Sequence, residues 1–401
     1  MDIDVQVPLR TTTAYEFTCE VRPRRSLRQR LSRHRGDVPT GSSELRFGYH
    51  ATNFEIEHHD AWDGFYALYF LTRNGGPLFA RGYDRAHIRL HFPVATVVRR
   101  FFIRRAADFG IDITVEAPTA PLRLDRPTRG HVLAFGGGKD SRLILGLLHE
   151  SGVEPEVITS MPARASDIPA ALVTKSVHGA IADRLMPGLM RLPRHFYYGG
   201  GLGEVQLRTP WQQHYDIASR TGRDQLAGLL ATLGAEIEVH APTVVLPANL
   251  AQRILYERYP ELFAGQQSTR PEAQSNKNLH VALIRMLHGL PLQDGMDAAL
   301  FGRLLQGFVA GQLADPPEFG YRGSYETPAR EMRAIIWRLR DREDLATIRD
   351  TIRPDWDAHW IDYVHDYVDT GMDPAMVDLF ARHAPLVSKA DPGLAIRRIQ
   401  T

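Results

Sequence analysis

The chain has 401 residues, 43% of them hydrophobic and 24% charged, with a formal net charge of +1 at pH 7. That mix belongs to a soluble globular protein with one large or two ordinary domains, and the near-zero charge gives no global electrostatic case for nucleic acid or an anionic membrane. The single cysteine, Cys19, excludes an internal disulfide framework, a CxxC zinc site and an acid–base mechanism built on two thiols.

The opening MDIDVQVPLRTTTAYEF has no basic leader followed by an apolar run, so no signal peptide is expected. No run approaches the roughly 18 apolar residues of a membrane span, and a cytoplasmic protein is the default expectation. Three regions are expected: 1–125, an N-terminal α+β domain that leans towards strand; 126–260, an α/β domain; and 261–401, a helical region. In the first, Val5–Val7 and Thr12–Val21 mix β-branched and aromatic residues. Arg22–Arg35 carries seven arginines. Phe65–Leu71 and His87–Val98 are apolar, Val97–Ala107 reads as a helix with arginines on one face, and Ala117–Thr128 is a proline-rich linker.

In the second region strands and helices alternate. His131–Phe135 is a short apolar strand, Ser141–Ser151 has helical spacing ended by Gly152, and Glu156–Thr159 is the next strand. Pro169–Arg184 reads as a helix and Glu236–His240 as a strand. This alternation predicts a parallel sheet with helices on both faces. From about 245 onward the chain offers helices at Leu250–Tyr259, Asn276–His288, Asp297–Leu313, Ala329–Arg340 and Met376–Ala384.

Function is carried by His131–Glu150. A buried strand runs into Gly136, Gly137 and Gly138, then Lys139, Asp140 and Ser141 open an amphipathic helix. Glycines accept positive φ and let backbone N–H groups surround an anion, and the helix start adds unpaired N–H groups and the positive end of its dipole. Lys139 adds a cation and Ser141 a hydroxyl donor. The kinase and GTPase phosphate loop is excluded, because Leu133 stands where its first glycine would be and Asp140 follows Gly138–Lys139. The dinucleotide fingerprint is excluded because Ser141 occupies its third glycine position.

Gly136–Ser141 resembles the SGGxDS loop of the PP-loop ATP pyrophosphatases, the adenine-nucleotide α-hydrolase-like proteins. Gly137, Gly138, Asp140 and Ser141 match, and Gly136 replaces the usual serine. The resemblance covers residues 131 to 160. It implies a HUP/Rossmann-like five-stranded parallel sheet with the loop after its first strand. Backbone amides at 137–141 would hold the pyrophosphate of ATP, with Mg²⁺ alongside at Asp140, and Thr159 and Ser160 would lie against adenine. Lys139, Asp140 and Ser141 would serve catalysis. The family forms adenylates with release of pyrophosphate. Asp2 after Met1 excludes a glutamine-hydrolysing cysteine half, and the lack of CxxC speaks against thiolation. The triple glycine and the long N-terminal region resemble the ATP-dependent epimerase of UDP-MurNAc-L-Ala-L-Glu, which implies a UDP-sugar peptide as small-molecule substrate. A ligase or amidating enzyme of specialised metabolism and a non-catalytic nucleotide-binding protein are the alternatives.

Other features are weaker. Arg22–Arg35 offers a diphosphate or RNA contact, or a solvated face. In His58-His59-Asp60 adjacent histidines would face opposite sides of a strand, against a metal site. Tyr197–Gly201 is a second glycine-rich loop. Arg164, Lys175 and His178 are phosphate candidates that equally serve as surface salt bridges, and Ser268–Lys277 is a candidate substrate loop.

Overall fold

The computed structural model describes residues 1–22, 43–72, 78, 85–108, 110–124, 126–160, 162–177, 185–199, 220–246, 248–266, 275–292, 295–311, 326–360, 364–365 and 386–387. The protein is α/β, with a mostly parallel mixed sheet flanked by helices and a strand-rich N-terminal region.

The N-terminal strands are β1 (Asp2–Val5), β2 (Leu9–Thr11), β3 (Ala14–Arg22), β4 (Ser43–Ala51), β5 (Arg85–Leu90) and β6 (Asp112–Glu116). Strict alternation makes β3: Tyr15, Phe17, Cys19 and Val21 are buried, while Glu16, Thr18 and Glu20 between them are partly exposed, the pattern of a sheet with one face on a core. Cys19 is therefore a core residue. Two helices cover this part of the sheet, α1 (Ala61–Thr72) and α2 (Thr96–Asp108). The apolar run Phe65–Leu71 lies in α1, where every residue except Tyr69 is buried. The helix expected over Val97–Ala107 is present as α2, with Val98, Phe102 and Ala106 turned to the core.

A parallel block follows: β7 (His131–Ala134), α3 (Lys139–Glu150), β8 (Glu156–Thr159), β9 (Leu172–Ser176), α4 (Leu185–Met190), β10 (His195–Tyr198), α5 (Arg220–Thr232) and β11 (Glu238–His240). Its strands lie in the order β11-β10-β7-β8-β9, all neighbours parallel. Helix α3 packs on one face through Ile144, Leu145 and Leu148 against Leu133 and Phe135. Helices α4 and α5 share the core on the other face with Val132, Ala134, Phe196 and Val239.

The Pro169–Arg184 helix is not what forms. Leu172–Ser176 is strand β9, and 178–184 lie outside the described residues. Its β-branched residues pair on both sides: Ile158↔Leu172 and Thr159↔Val173 in parallel, and Tyr49↔Ser176, His50↔Lys175 and Ala51↔Thr174 antiparallel. That second ladder joins the N-terminal strands to the parallel block as one 11-stranded sheet in the order β11-β10-β7-β8-β9-β4-β3-β1-β5-β6, with β2 on β3. The proline-rich segment between β6 and β7 is irregular but attached, with the Leu124 N–H donating to Leu233 O at 2.6 Å and its side chain fully buried.

Beyond β11 the chain is helical: α6 (Ala248–Arg258), α7 (Pro260–Ala264), α8 (Ser275–Leu287), α9 (Ala298–Val309) and α10 (Glu326–Arg338). Helices α8 to α10 form their own core around Leu283, Leu305, Ile335 and Trp356. Buried Glu331 of α10 accepts from the Asn249 N–H of α6 at 2.9 Å and pairs with His280 of α8 at 2.8 Å. The Met376–Ala384 helix lies outside the described residues. Among the described residues no helix is long and apolar enough to cross a membrane.

Gly48 in β4 has φ +141°, and a Cβ there would stand 2.1 Å from Tyr15 O on the neighbouring strand. Gly48→Ala is expected to cost about 1–3 kcal/mol through strain and overpacking. Urea unfolding checks this, and an unchanged midpoint would show that the β3–β4 pair adapts.

Candidate functional site

The ladder between β7 and β8 extends one residue past β7, with the Phe135 N–H donating to Ile158 O at 2.8 Å. The chain then turns out of the sheet. Gly137 has φ +69°, a left-handed conformation that glycine adopts without the strain a Cβ brings. Gly138 is the extended N-cap of α3, without a side-chain cap, and a Cβ on it would meet nothing within 4 Å. The helix begins at Lys139, two residues before the Ser141 start expected from sequence.

Most of the polar groups of Gly136–Ser141 are accounted for. The Gly136 N–H donates to Ser141 Oγ at 3.2 Å, and that hydroxyl donates to Gly138 O at 3.2 Å. Ser141 is buried, and its hydroxyl closes the loop on itself. Lys139 Nζ donates to both carboxylate oxygens of Asp140, at 2.8 and 2.7 Å. The amides of Gly137, Gly138, Lys139, Asp140 and Ser141 have no acceptor among the described residues. Unpaired N–H groups at a helix start carry partial positive charge, which suits them to an anion.

The loop is held from behind by Arg142, whose side chain is fully buried. Its Nε donates to Gly137 O at 3.1 Å, its two terminal nitrogens grip Asp167 at 2.7 and 2.8 Å, and Nη1 also reaches Leu262 O of α7 at 3.1 Å. The guanidinium lies 5.4 Å from the Phe135 ring centroid. A Cβ on Gly265 would stand 1.9 Å from Asp167 Oδ2, so this position is closed to larger residues.

The loop sits where strand order reverses. From β7 the chain crosses to β8 on one side, and after β9 it returns to β10 on the other side of β7. Adjacent parallel strands whose connections diverge leave a crevice at their carboxyl ends, where such folds bind ligands. Gly199, just past β10, lies against α3 so closely that a Cβ would meet Ser141 N at 2.9 Å. Thr159 ends β8 fully buried, with its carbonyl accepting from Thr174 Oγ1 at 3.3 Å. The buried Ser160 Oγ has no hydrogen-bond partner among the described residues. The structure therefore brings Gly136–Ser141, Thr159, Ser160 and Gly199 to one edge of the sheet.

Other sequence candidates are placed elsewhere. His58-His59-Asp60 precede α1 on an irregular segment rather than a strand. His58 Nε2 contacts Thr11 O at 2.6 Å, His59 Nδ1 accepts from Ala61 N at 3.2 Å, and Asp60 pairs with Arg10 at 2.5 Å, so all three serve local structure. Lys175 is an exposed residue of β9. The backbone of Arg164 is in a short 3-10 turn. His178, Gly200, Gly201, residues 23–35 and 268–274 lie outside the described residues. Sequence reasoning missed Arg142, Asp167 and the closeness of Gly199. It also missed a cluster at the opposite end of the same strands, His131, His195, Glu238 and His240, whose signal was the Glu238-Val239-His240 spacing on a strand.

Comparison of the chain with protein-family models, with curated proteins and with solved structures gives no match.

Two predictions follow from this geometry. The hydrogen bonds from Arg142 hold the Asp167 carboxyl below the usual aspartate range. Because the folded-state value is the lower one, the pair's contribution is complete above about pH 4 and is lost as pH falls through the depressed value. Asp167→Asn is expected to cost about 1 kcal/mol from about pH 5 to 8, reduced by the partial exposure of Asp167, and the gap to wild type closes below about pH 4. Urea unfolding across pH measures it; a gap that persists in acid would remove the ion pair as its cause. Gly199→Ala would set a methyl group 2.9 Å from Ser141 N and is expected to cost about 1–3 kcal/mol through overpacking; urea unfolding checks it, and an unchanged midpoint would show that β10 and α3 move apart without cost.

Proposed function

We propose that this chain binds ATP at Gly136–Ser141 and couples its cleavage to AMP and pyrophosphate with activation of a carboxylate on a small molecule. The observation that carries this reading is the set of five uncommitted amides at 137–141, placed at the strand-order reversal. A HUP/Rossmann-like sheet is part of the same reading: the order β11-β10-β7-β8-β9 follows the 3-2-1-4-5 arrangement of doubly wound nucleotide-binding sheets. The unpartnered Ser160 hydroxyl at the end of β8 fits a polar edge of adenine.

The chemistry asked of these residues is modest. A substrate carboxylate oxygen attacks the α-phosphorus, the bond from that phosphorus to the bridging oxygen breaks, and pyrophosphate departs with the electron pair. The amides at 137–141 and the Lys139 ammonium stabilise charge on the departing group. Lys139 is held by Asp140 in the protein alone. An incoming phosphate competes for the ammonium and frees the carboxylate, so Asp140 becomes available to Mg²⁺, which would supply charge neutralisation at the phosphates. Arg142 keeps the Gly137 carbonyl turned away from the anion. With the bond between Lys139 and Asp140 intact, the loop's net charge is near zero and the amides alone attract anions.

For the activated group, the triple glycine and the long N-terminal region favour the terminal glutamate of UDP-MurNAc-L-Ala-L-Glu, with epimerisation at Cα. A ligase or amidating enzyme uses the same activation with a different acceptor. Gly136, which lacks the family's serine hydroxyl, favours a second reading in which the chain binds nucleotide without turning it over.

Incubation with ATP, Mg²⁺ and a panel of carboxylates including UDP-MurNAc-L-Ala-L-Glu is expected to release pyrophosphate and AMP. Lys139→Ala and Asp140→Ala are expected to lower kcat/KM about 100-fold, roughly 2.7 kcal/mol, with melting temperature nearly unchanged. Tight ATP binding with no pyrophosphate from any substrate would establish the non-catalytic reading. Full activity in both variants would place the chemistry elsewhere.

A further inference from the structure

The amino ends of the parallel strands carry a second cluster, apart from the phosphate loop. Parallel register sets His195 of β10 between His131 of β7 and Glu238 of β11, and sets Tyr197 beside His240. Residues two apart on a strand share a face, so the five side chains form one patch. Within it His195 Nδ1 stands 3.2 Å from His240 Nε2 and 3.4 Å from Glu238 Oε2, and His240 Nε2 is 3.8 Å from the same oxygen.

We propose that His195, Glu238 and His240 form a site for one divalent transition ion of the zinc class. Bonds of about 2.0–2.1 Å in tetrahedral geometry put ligand atoms about 3.3 Å apart. The three observed separations straddle that value. Two imidazoles and one carboxylate suit zinc, cobalt or nickel rather than magnesium. Glu238 is half exposed, so the fourth position opens to water.

The surroundings orient these donors as metal sites require. Arg194 donates to Glu238 Oε1 at 3.1 Å, which leaves Oε2 for the ion. His131 stacks on His195 with centroids 4.7 Å apart and planes at 18°, and its Nδ1 is 3.2 Å from Tyr197 OH. Tyr197 in turn stacks on His240 at 5.0 Å. The rings are thus fixed by neighbours that are not themselves donors. From His195 to Gly199 is four residues of strand, about 13 Å, so this ion is distinct from any Mg²⁺ bound with ATP. It would join the three-residue edge strand β11 to β10, and a ligand bound only by the folded state raises stability by mass action.

The test uses the full chain stripped with EDTA and titrated with Co²⁺, then with Zn²⁺ as competitor. One Co²⁺ per chain is expected, with a visible d–d band of tetrahedral intensity that Zn²⁺ abolishes, and Zn²⁺ is expected to raise the melting temperature. His240→Ala is expected to weaken Co²⁺ binding about 100-fold or more. Glu238→Gln, at a half-exposed position where folding is not at stake, is expected to weaken it at least tenfold and remove the Zn²⁺-dependent thermal shift. No band in the wild type, or equal binding by wild type and Glu238→Gln, would overturn the proposal and leave a hydrogen-bonded histidine pair in its place. ATP-analogue binding by Glu238→Gln, measured alongside, keeps this outcome separate from that of the phosphate loop.

Discussion

A guanidinium with no surface in water must find its acceptors inside the protein, and Arg142 takes them from three separate stretches of chain. It holds the Gly137 carbonyl, the Asp167 carboxylate and the Leu262 carbonyl. The first fixes the bend in the glycine run, the second fixes the segment after β8, and the third fixes α7. Removing one partner of a buried charge is costly because the other is left unmet, so these stretches are committed to one arrangement together. With Gly137 O taken by Arg142, the amides that follow are left without a backbone acceptor among the described residues. The bend that begins α3 therefore depends on a cation buried behind it.

The glycine loop and the histidine patch lie at opposite ends of the same strands. At the carboxyl ends, diverging connections leave space, and the groups presented are backbone donors suited to an anion. At the amino ends of β7, β10 and β11, side chains in register present acceptors suited to a cation. Between them, on the same face as the histidines, β7 and the residue after it carry the buried Leu133 and Phe135.

How much of this was legible in the sequence depends on whether the interaction is local. The strand, glycine run and helix at 131–150 are contiguous, and each residue's preference agrees with its neighbours', so this unit reads directly. Strand β9 was missed because Leu172–Ser176 is short and its pairing partners are β8 and, far away in sequence, β4. Helix α1 was left open because an apolar run buried on nearly all sides has no periodicity to show. Nothing in the local pattern sets Arg142 apart from other polar residues of an amphipathic helix; only Asp167 and α7 make it a buried clamp. The histidine patch comes from three strands whose register no local pattern records.

The antiparallel ladder between β4 and β9 has a practical consequence. It spans only three residue pairs, Tyr49↔Ser176, His50↔Lys175 and Ala51↔Thr174, yet it closes the flank of both halves of the sheet. Cutting the chain near residue 125 to express the parallel block alone would strip β9 of that neighbour and bare a row of unsatisfied backbone groups. Such a flank recruits whatever extended chain is nearby, including other copies of the fragment. The truncated piece would therefore self-associate, and boundaries chosen from sequence at the proline-rich segment would separate two parts that the sheet has sewn into one fabric.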